Sequence, residues 1–228
     1  GKNPLVVLDD ADLPTAVNAA IQGAYYSTGQ RCTASSRLIV TAGIHDRFVA
    51  AMTDKLTSLK VDDALAPGTD IGPVVDPSQL EQDLRYIEIG KSEGARLAAG
   101  GERLTRDKEG YYLSPALFTE ADNNMRIARE EIFGPVLAIM PYETIDELVD
   151  RANDTVYGLA SDLQSKDQKR AQEVARRMRS GNVYINYPAW DAGMPFGGYK
   201  QSGNGREYAE YGLEDFMEIK VIVGYEAA

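Results

Sequence analysis

The chain has 228 residues, enough for one large domain, and its 43% hydrophobic and 26% charged content is that of a globular protein. With 35 acidic against 24 basic residues the net charge is -11, which argues against nucleic acid and anionic membrane as partners. One cysteine excludes an intrachain disulfide, one Cys with one His cannot build a zinc site, and no apolar run reaches the roughly 20 residues of a membrane span.

Apolar runs alternate with helical patterns, the signature of an α/β layer fold. Leu5-Val6-Val7-Leu8 predicts a buried strand, and Asp12 caps a helix whose apolar residues Leu13, Val17, Ala20, Ile21 and Ala24 share a face. Arg37–Val40 is the next strand, and Ile44, Phe48, Met52, Leu56 and Leu59 mark a second helix. Asp76-Pro77-Ser78-Gln79 combines an N-cap, a proline at the first helical position and a capping-box residue, opening a helix along Leu80, Leu84 and Ile87 that stops near Gly94. Strands are expected at Ala95–Ala99, Tyr112–Phe118 and Val136–Tyr142. Thr144 and Glu147 form a further capping box on a short helix reaching Ala152. Leu159–Gln164 reads as a strand, Asp167–Arg179 as a charged helix and Asn182–Asn186 as a strand.

Beyond that point Gly193, Gly197, Gly198, Gly203 and Gly205 mark a loop, and Phe216–Tyr225 alternates like a final strand. A lone terminal strand after a long loop suggests pairing with another domain or subunit. The expected division is a catalytic α/β domain over 1–200 and a C-terminal loop and oligomerisation strand over 201–228. The opening Gly1-Lys2-Asn3-Pro4 reads as mid-protein sequence, so the chain is expected to be a fragment.

Cys32 lies between a predicted helix and a predicted strand, a junction that exposes a side chain and aims backbone N–H groups at it. Arg31 beside it favours the thiolate. The competing reading is an inert buried thiol. His45 opens a surface helix, and nothing in the sequence brings it to Cys32 for a Cys–His hydrolase. Gly203-Asn204-Gly205 lacks the third glycine of a dinucleotide fingerprint, since position 208 is Tyr208. Read from these residues alone, the chain is an α/β domain with one notable thiol.

Four segments together extend this reading. Gly29-Gln30-Arg31-Cys32-Thr33-Ala34 resembles the nucleophile motif of the aldehyde dehydrogenase superfamily. Glu130-Glu131-Ile132-Phe133-Gly134-Pro135-Val136 resembles its nicotinamide-ribose motif, and Pro195-Phe196-Gly197-Gly198-Tyr199-Lys200-Gln201-Ser202-Gly203 its late loop. Gly1-Lys2-Asn3-Pro4 is similar to the residues just after the family's general-base glutamate. Order and spacing agree over essentially the whole chain.

The resemblance implies an open, mostly parallel sheet flanked by helices, and a Cys32 thiolate that attacks an aldehyde to give a thiohemiacetal. Hydride transfer to NAD or NADP and hydrolysis of the thioester would follow. It implies that Glu131 binds the nicotinamide ribose and that Phe133 packs beside the nicotinamide. Tyr26, Arg31, Thr33, Tyr187, Trp190 and Phe196 would line the substrate pocket, and Arg206, Glu207 and Glu218 would support the site and a subunit interface. Further implications are a cytoplasmic homo-oligomer joined through the C-terminal strand, and a cofactor-binding half outside this sequence. The chain alone would then be inactive. The segment up to about Gly134 is similar to semialdehyde dehydrogenases, such as those acting on 2-oxoglutarate semialdehyde. The segment from Tyr187 onward is closer to general bacterial aldehyde dehydrogenases. Alternatives are a Cys32 esterase or acyltransferase, and a non-catalytic oligomerising module.

Overall fold

Nine short strands and seven helices account for most of residues 1–224, the part of the chain that the computed structural model describes. The apolar run at the start forms β1 (Asn3–Val7), buried at all five positions, at the heart of a seven-stranded sheet. On one side of it lie β2 (Ser35–Thr41), β7 (Val136–Tyr142), β6 (Ala116–Thr119) and the edge strand β3 (Arg96–Ala99). On the other lie β8 (Ala160–Gln164) and β9 (Asn182–Ile185). Every neighbouring pair is parallel except β3 with β6. Strands buried on both faces read as continuous apolar runs, which is why β1, β2 and β7 were legible.

Helices cover the two faces unequally. α1 (Leu13–Tyr25) and α2 (Ala42–Thr57) pack Val17, Ile21, Phe48 and Met52 over Leu5, Leu38 and Ile139. The opposite face carries α3 (Pro77–Ser92), α4 (Arg126–Arg129), α5 (Ile145–Asn153) and α6 (Gln168–Arg177) over Val6, Ile39 and Met140. On the first face β8 and β9 run out beyond α1, and that uncovered corner positions the site described below.

The predicted caps form. Asp12 accepts from the Thr15 N–H at 3.1 Å, Asp76 from Gln79 at 2.9 Å and Thr144 from Glu147 at 3.2 Å. The reciprocal halves of the boxes do not. Gln79 turns to Asp83 and the Ile132 carbonyl, and the Glu147 carboxylate accepts from the Glu143 N–H instead of from the cap residue. The expected strand Tyr112–Phe118 is broken. Tyr112–Leu113 (β5) pairs with Arg103–Leu104 (β4) in a separate ribbon, and β6 joins the main sheet. Pro115 between them has no N–H to give to either ladder.

The expected C-terminal strand finds no partner within the described part of this chain. Only a short helix α7 (Ala209–Glu214) forms there. Residues 216–224 make no strand pairing, Tyr225 lies outside the described residues, and both alternating rows are exposed, with Ile219 at 97% and Phe216 at 88%. Alternation supplies strand propensity, but a strand also needs an edge to pair with, and this segment lies on neither edge of the sheet. Among the described residues no helix is long and apolar enough to cross a membrane.

The most heavily bonded buried charge is Arg37 on β2, with no exposed surface. Its guanidinium donates to the Lys2, Arg151 and Ala152 carbonyls and to Asn123 Oδ1, at 2.9–3.0 Å. It sews the start of β1 to α5 and to the turn before α4, and burial draws its pKa down to about 10. Arg37→Met leaves these acceptors buried and unpaired. The expected loss is about 3–5 kcal/mol, the range for breaking a buried charged network. It would be read as a lower urea midpoint at constant slope.

Candidate active site

Between α1 and β2 the chain makes a tight left-handed passage. Ser27, Thr28 and Gly29 all have positive φ, at 56°, 58° and 66°. At Gly29 a glycine is required, because a β-carbon there would collide with the Gly134 carbonyl. This close approach docks the Gly29–Ala34 segment onto the loop carrying Glu131 and Phe133. The Ala34 N–H then donates to the Arg31 carbonyl at 3.0 Å, so Cys32 and Thr33 occupy the centre of a turn. Cys32 is exposed, and its backbone N–H makes no hydrogen bond among the described residues.

Asn3 fixes that turn from beneath. Its amide, 2% exposed, donates to the Cys32 carbonyl at 2.8 Å and the Ala34 carbonyl at 2.9 Å, while its Oδ1 accepts from the Ala160 N–H at 3.1 Å. Arg31 pins the turn from the side, donating to the Gln22 and Gly23 carbonyls at 2.8 and 2.9 Å. These are carbonyls of the last turns of α1, where a cation complements the helix dipole.

Cys32 opens onto a cavity of about 420 Å³ at the corner that α1 leaves uncovered. Arg31, Thr33, Tyr187, Trp190 and Phe196 line it as expected. Ala160, Asp162, Tyr184 and Tyr208 line it too and were not foreseen. Asp162 and Tyr184 are paired residues of β8 and β9, so their side chains leave the sheet on the same face. Only the parity of β8 could have pointed to Asp162, a carboxylate at the one position of the strand that is not fully buried. Tyr26 does not reach the cavity; it packs against the core beneath α1 and α2, because the left-handed passage starts directly after it.

On the other side of the Cys32 turn is a shallow groove lined by Gly1, Gly29, Arg31, Ala34, Ser36, Glu131 and Phe133. The Glu131 carboxylate, about a quarter exposed, pairs with the Gly1 amino group. Phe133 is 41% exposed and held at φ 62°, a conformation costly for an aromatic residue and one that presents its ring outward. The two predicted cofactor residues and the thiol therefore share one rim, with Arg31 in the wall of both hollows. Next in the chain to Gly1, Lys2 is fully buried with an unpartnered Nζ, and burial, aided by Arg37, lowers its pKa to about 7.

The late loop is held by its backbone. Phe196 and Glu207 exchange both main-chain hydrogen bonds at 2.7–2.8 Å, a pairing that runs across position 200. The Arg206 guanidinium donates to the Gly198 and Gly205 carbonyls at 3.0 and 2.9 Å and lies 5.5 Å from the Tyr199 ring centre. Arg206 and Glu207 thus support the cavity wall that bears Phe196. Glu218 stands exposed on the C-terminal segment and touches neither hollow. His45 is half-buried against Asp46 and Thr119, not the solvated residue expected, and it is not among the residues lining the Cys32 cavity.

Residues 1–222 match the model of the aldehyde dehydrogenase family. The chain belongs to this family. It is 43% identical over 226 residues to a Staphylococcus saprophyticus protein that carries an aldehyde dehydrogenase name with no stated substrate, covering 99% of this chain and 48% of that one. The chain thus spans about half the length of the curated relatives it matches. Among solved structures it resembles aldehyde dehydrogenase C of Pseudomonas syringae, a cysteine-to-alanine variant in complex with NAD+ and octanal. That match has 43% identity and a TM-score of 0.96, over 100% of this chain and 47% of that one. It also resembles the betaine aldehyde dehydrogenase of Staphylococcus aureus in complex with NAD+, with 42% identity and a TM-score of 0.92 over 95% and 43% of the respective chains. The mostly parallel, helix-flanked sheet is the architecture of these relatives.

The Glu131–Gly134 loop rests on a buried carboxyl. A β-carbon on Gly134 would fall onto Asp83, whose Oδ1 accepts from Gln79 at 2.7 Å while Oδ2 has no partner. Burial raises the Asp83 pKa from 3.8 to about 7. The folded state therefore holds this proton more tightly than the unfolded chain does. The stability it contributes is complete below the unfolded value and is lost as pH climbs through about 7. Asp83→Asn is expected to remove that slope, gaining on the parent by on the order of 2–4 kcal/mol between pH 4 and 8. Urea titrations at both ends of that range measure it.

Proposed function

We propose that this chain is the catalytic half of an NAD(P)-dependent aldehyde dehydrogenase that oxidises an aldehyde to a carboxylic acid through a thioester on Cys32. The observation carrying the proposal is one rim that joins an exposed thiol, a cavity on one side and the Glu131–Phe133 groove on the other. In this reading the aldehyde enters between Tyr187, Trp190 and Phe196, where apolar walls exclude water. The Cys32 thiolate adds to the carbonyl carbon, and the oxyanion receives the unoccupied Cys32 N–H. The fixed turn keeps sulfur and N–H on the same side throughout.

The groove suits a nicotinamide dinucleotide: a half-buried carboxylate accepts ribose hydroxyls, and an outward-turned phenyl ring gives the nicotinamide an apolar neighbour. When bound there, that cofactor supplies the acceptor for the aldehydic hydride. Water then opens the Cys32 thioester, releasing the acid and restoring the thiolate. Support for the cofactor comes from the NAD+ complexes of the solved relatives, and support for an aldehyde substrate from the octanal complex. We also place the protein in the cytoplasm, as a homo-oligomer that pairs through residues 216–224, whose two exposed rows suit sheet addition.

In the complete protein, Cys32→Ala is expected to lower NADH formation from aldehyde by about 10³-fold or more while leaving NAD+ binding intact by fluorescence titration. Glu131→Gln should raise the KM for NAD+ with a smaller effect on the aldehyde. The 228-residue chain by itself should form no NADH. A Cys32→Ala protein that keeps its rate would overturn the assignment.

A further inference from the structure

The walls of the Cys32 cavity are aromatic, with Tyr184, Tyr187, Trp190, Phe196 and Tyr208, and its charged groups are Arg31 and Asp162. The two charges are held differently. Arg31 turns its Nη2 to the carbonyls of Gln22 and Gly23, and its buried Nε has no partner among the described residues. Asp162 has one oxygen accepting from Ser35 Oγ at 3.0 Å, and the other has no hydrogen-bond partner among the described residues. No salt bridge joins the two among the described residues. The cavity therefore offers a substrate one spare acceptor bearing negative charge, surrounded by ring faces.

From this placement, and resting on the dehydrogenase reading above, we infer that Asp162 is a specificity-determining residue that selects aldehydes bearing a protonated amino group. A primary ammonium supplies the N–H that the free Asp162 oxygen lacks, and its charge is attracted both by the carboxylate and by the faces of the surrounding rings. An uncharged alkyl aldehyde would leave the carboxylate in the cavity without a partner, which is costly. A carboxylate-bearing semialdehyde would meet Asp162 with like charge. The similarity of the first segment to semialdehyde dehydrogenases does not extend to this residue, which lies beyond that segment.

Two further observations agree. Burial lifts the Asp162 carboxyl to about 6 against the opposing Ser35 hydrogen bond and the Arg31 charge, so it remains mostly ionised at neutral pH. Asp162 and Tyr184 are paired across β8 and β9 and both line the cavity, and burial together with the Asp162 charge raises the Tyr184 hydroxyl. At about 420 Å³ the cavity, which Cys32 and Asp162 both line, lies in the range of small-molecule sites.

The test compares, in the complete NAD(P)-supplied protein, 3-aminopropanal with its neutral isostere butanal and with succinate semialdehyde. The expected order of kcat/KM is amino over neutral by about tenfold or more, equivalent to about 1.4 kcal/mol, with the semialdehyde last. Asp162→Asn should collapse the amino-to-neutral ratio, chiefly through KM, and Asp162→Glu should restore part of it. The ratio is the readout, so a general loss of activity does not mimic the result. In parallel, n-propylammonium should slow alkylation of Cys32 by iodoacetamide where 1-propanol does not, and Asp162→Asn should abolish the protection. Equal or better use of butanal, or a preference that survives Asp162→Asn, overturns the inference and leaves the dehydrogenase reading intact. Oxidation of none of the three aldehydes overturns the dehydrogenase reading instead. The alkylation arm then decides whether Asp162 receives an ammonium group: protection lost in Asp162→Asn supports that, and no protection refutes it.

Discussion

The buried amide of Asn3 is the constraint on which the site depends. One side chain at the start of the central strand satisfies two carbonyls of the Cys32 turn and one N–H of β8. Each of these would otherwise be a backbone polar group turned away from the sheet ladder, and orphans of that kind are rarely tolerated when buried. By meeting the turn's needs from below, Asn3 leaves the upper surface of the turn free. The Cys32 sulfur and N–H face outward because the Cys32 carbonyl is held inward. It also joins three parts of the chain that no helix bridges, so the distance from the thiol to β8, and with it to Asp162, is set by one rigid group.

The second constraint is backbone contact. Gly29 and Gly134 approach so closely that neither tolerates a β-carbon, the first against the Gly134 carbonyl and the second against Asp83. The thiol loop and the Glu131–Phe133 loop therefore behave as one body. Groups that act on one bound molecule are held in register better on one body than on separately moving loops. The left-handed conformations of Ser27, Thr28 and Phe133 cluster at this junction, consistent with strain held in place by surrounding packing.

Much of the scaffold was legible because it follows from local rules. Buried parallel strands announce themselves as apolar runs, and Asp12, Asp76 and Thr144 cap the helices they were expected to cap. The ribbon β4–β5 was hidden, since two-residue strands carry no period and Pro115 breaks a run that otherwise looks continuous. At the site, the residues within the Cys32 turn and the late loop were found through their motifs. Asp162, Tyr184 and Tyr208 were not, because each sits in a segment whose local pattern is explained by the sheet or the loop alone. Tyr26 packs against the core and not in the cavity lining. Its position before the thiol suggested a wall, but three left-handed residues rotate the chain between the two. Sequence spacing conveys distance along an element and loses direction wherever φ changes sign.

The buried charges around Cys32 show how one small volume holds unlike groups without collapse. Arg37 is fully bonded and serves the scaffold; Arg31 is bonded to a helix end and serves the turn. Lys2 at Nζ, Arg31 at Nε and Asp162 at one carboxylate oxygen have no hydrogen-bond partner among the described residues. Lys2 sits toward Glu131, whose charge acts on it, and Asp162 lies in the cavity wall. Burial leaves Lys2 only partly charged near neutral pH, whereas Asp162 is mostly ionised there, so the lasting charge between the two is the anion in the cavity wall. The same buried amide that holds the Cys32 turn also holds Ala160 of β8, so the spacing between the thiol and the strand that carries Asp162 follows from one structural element.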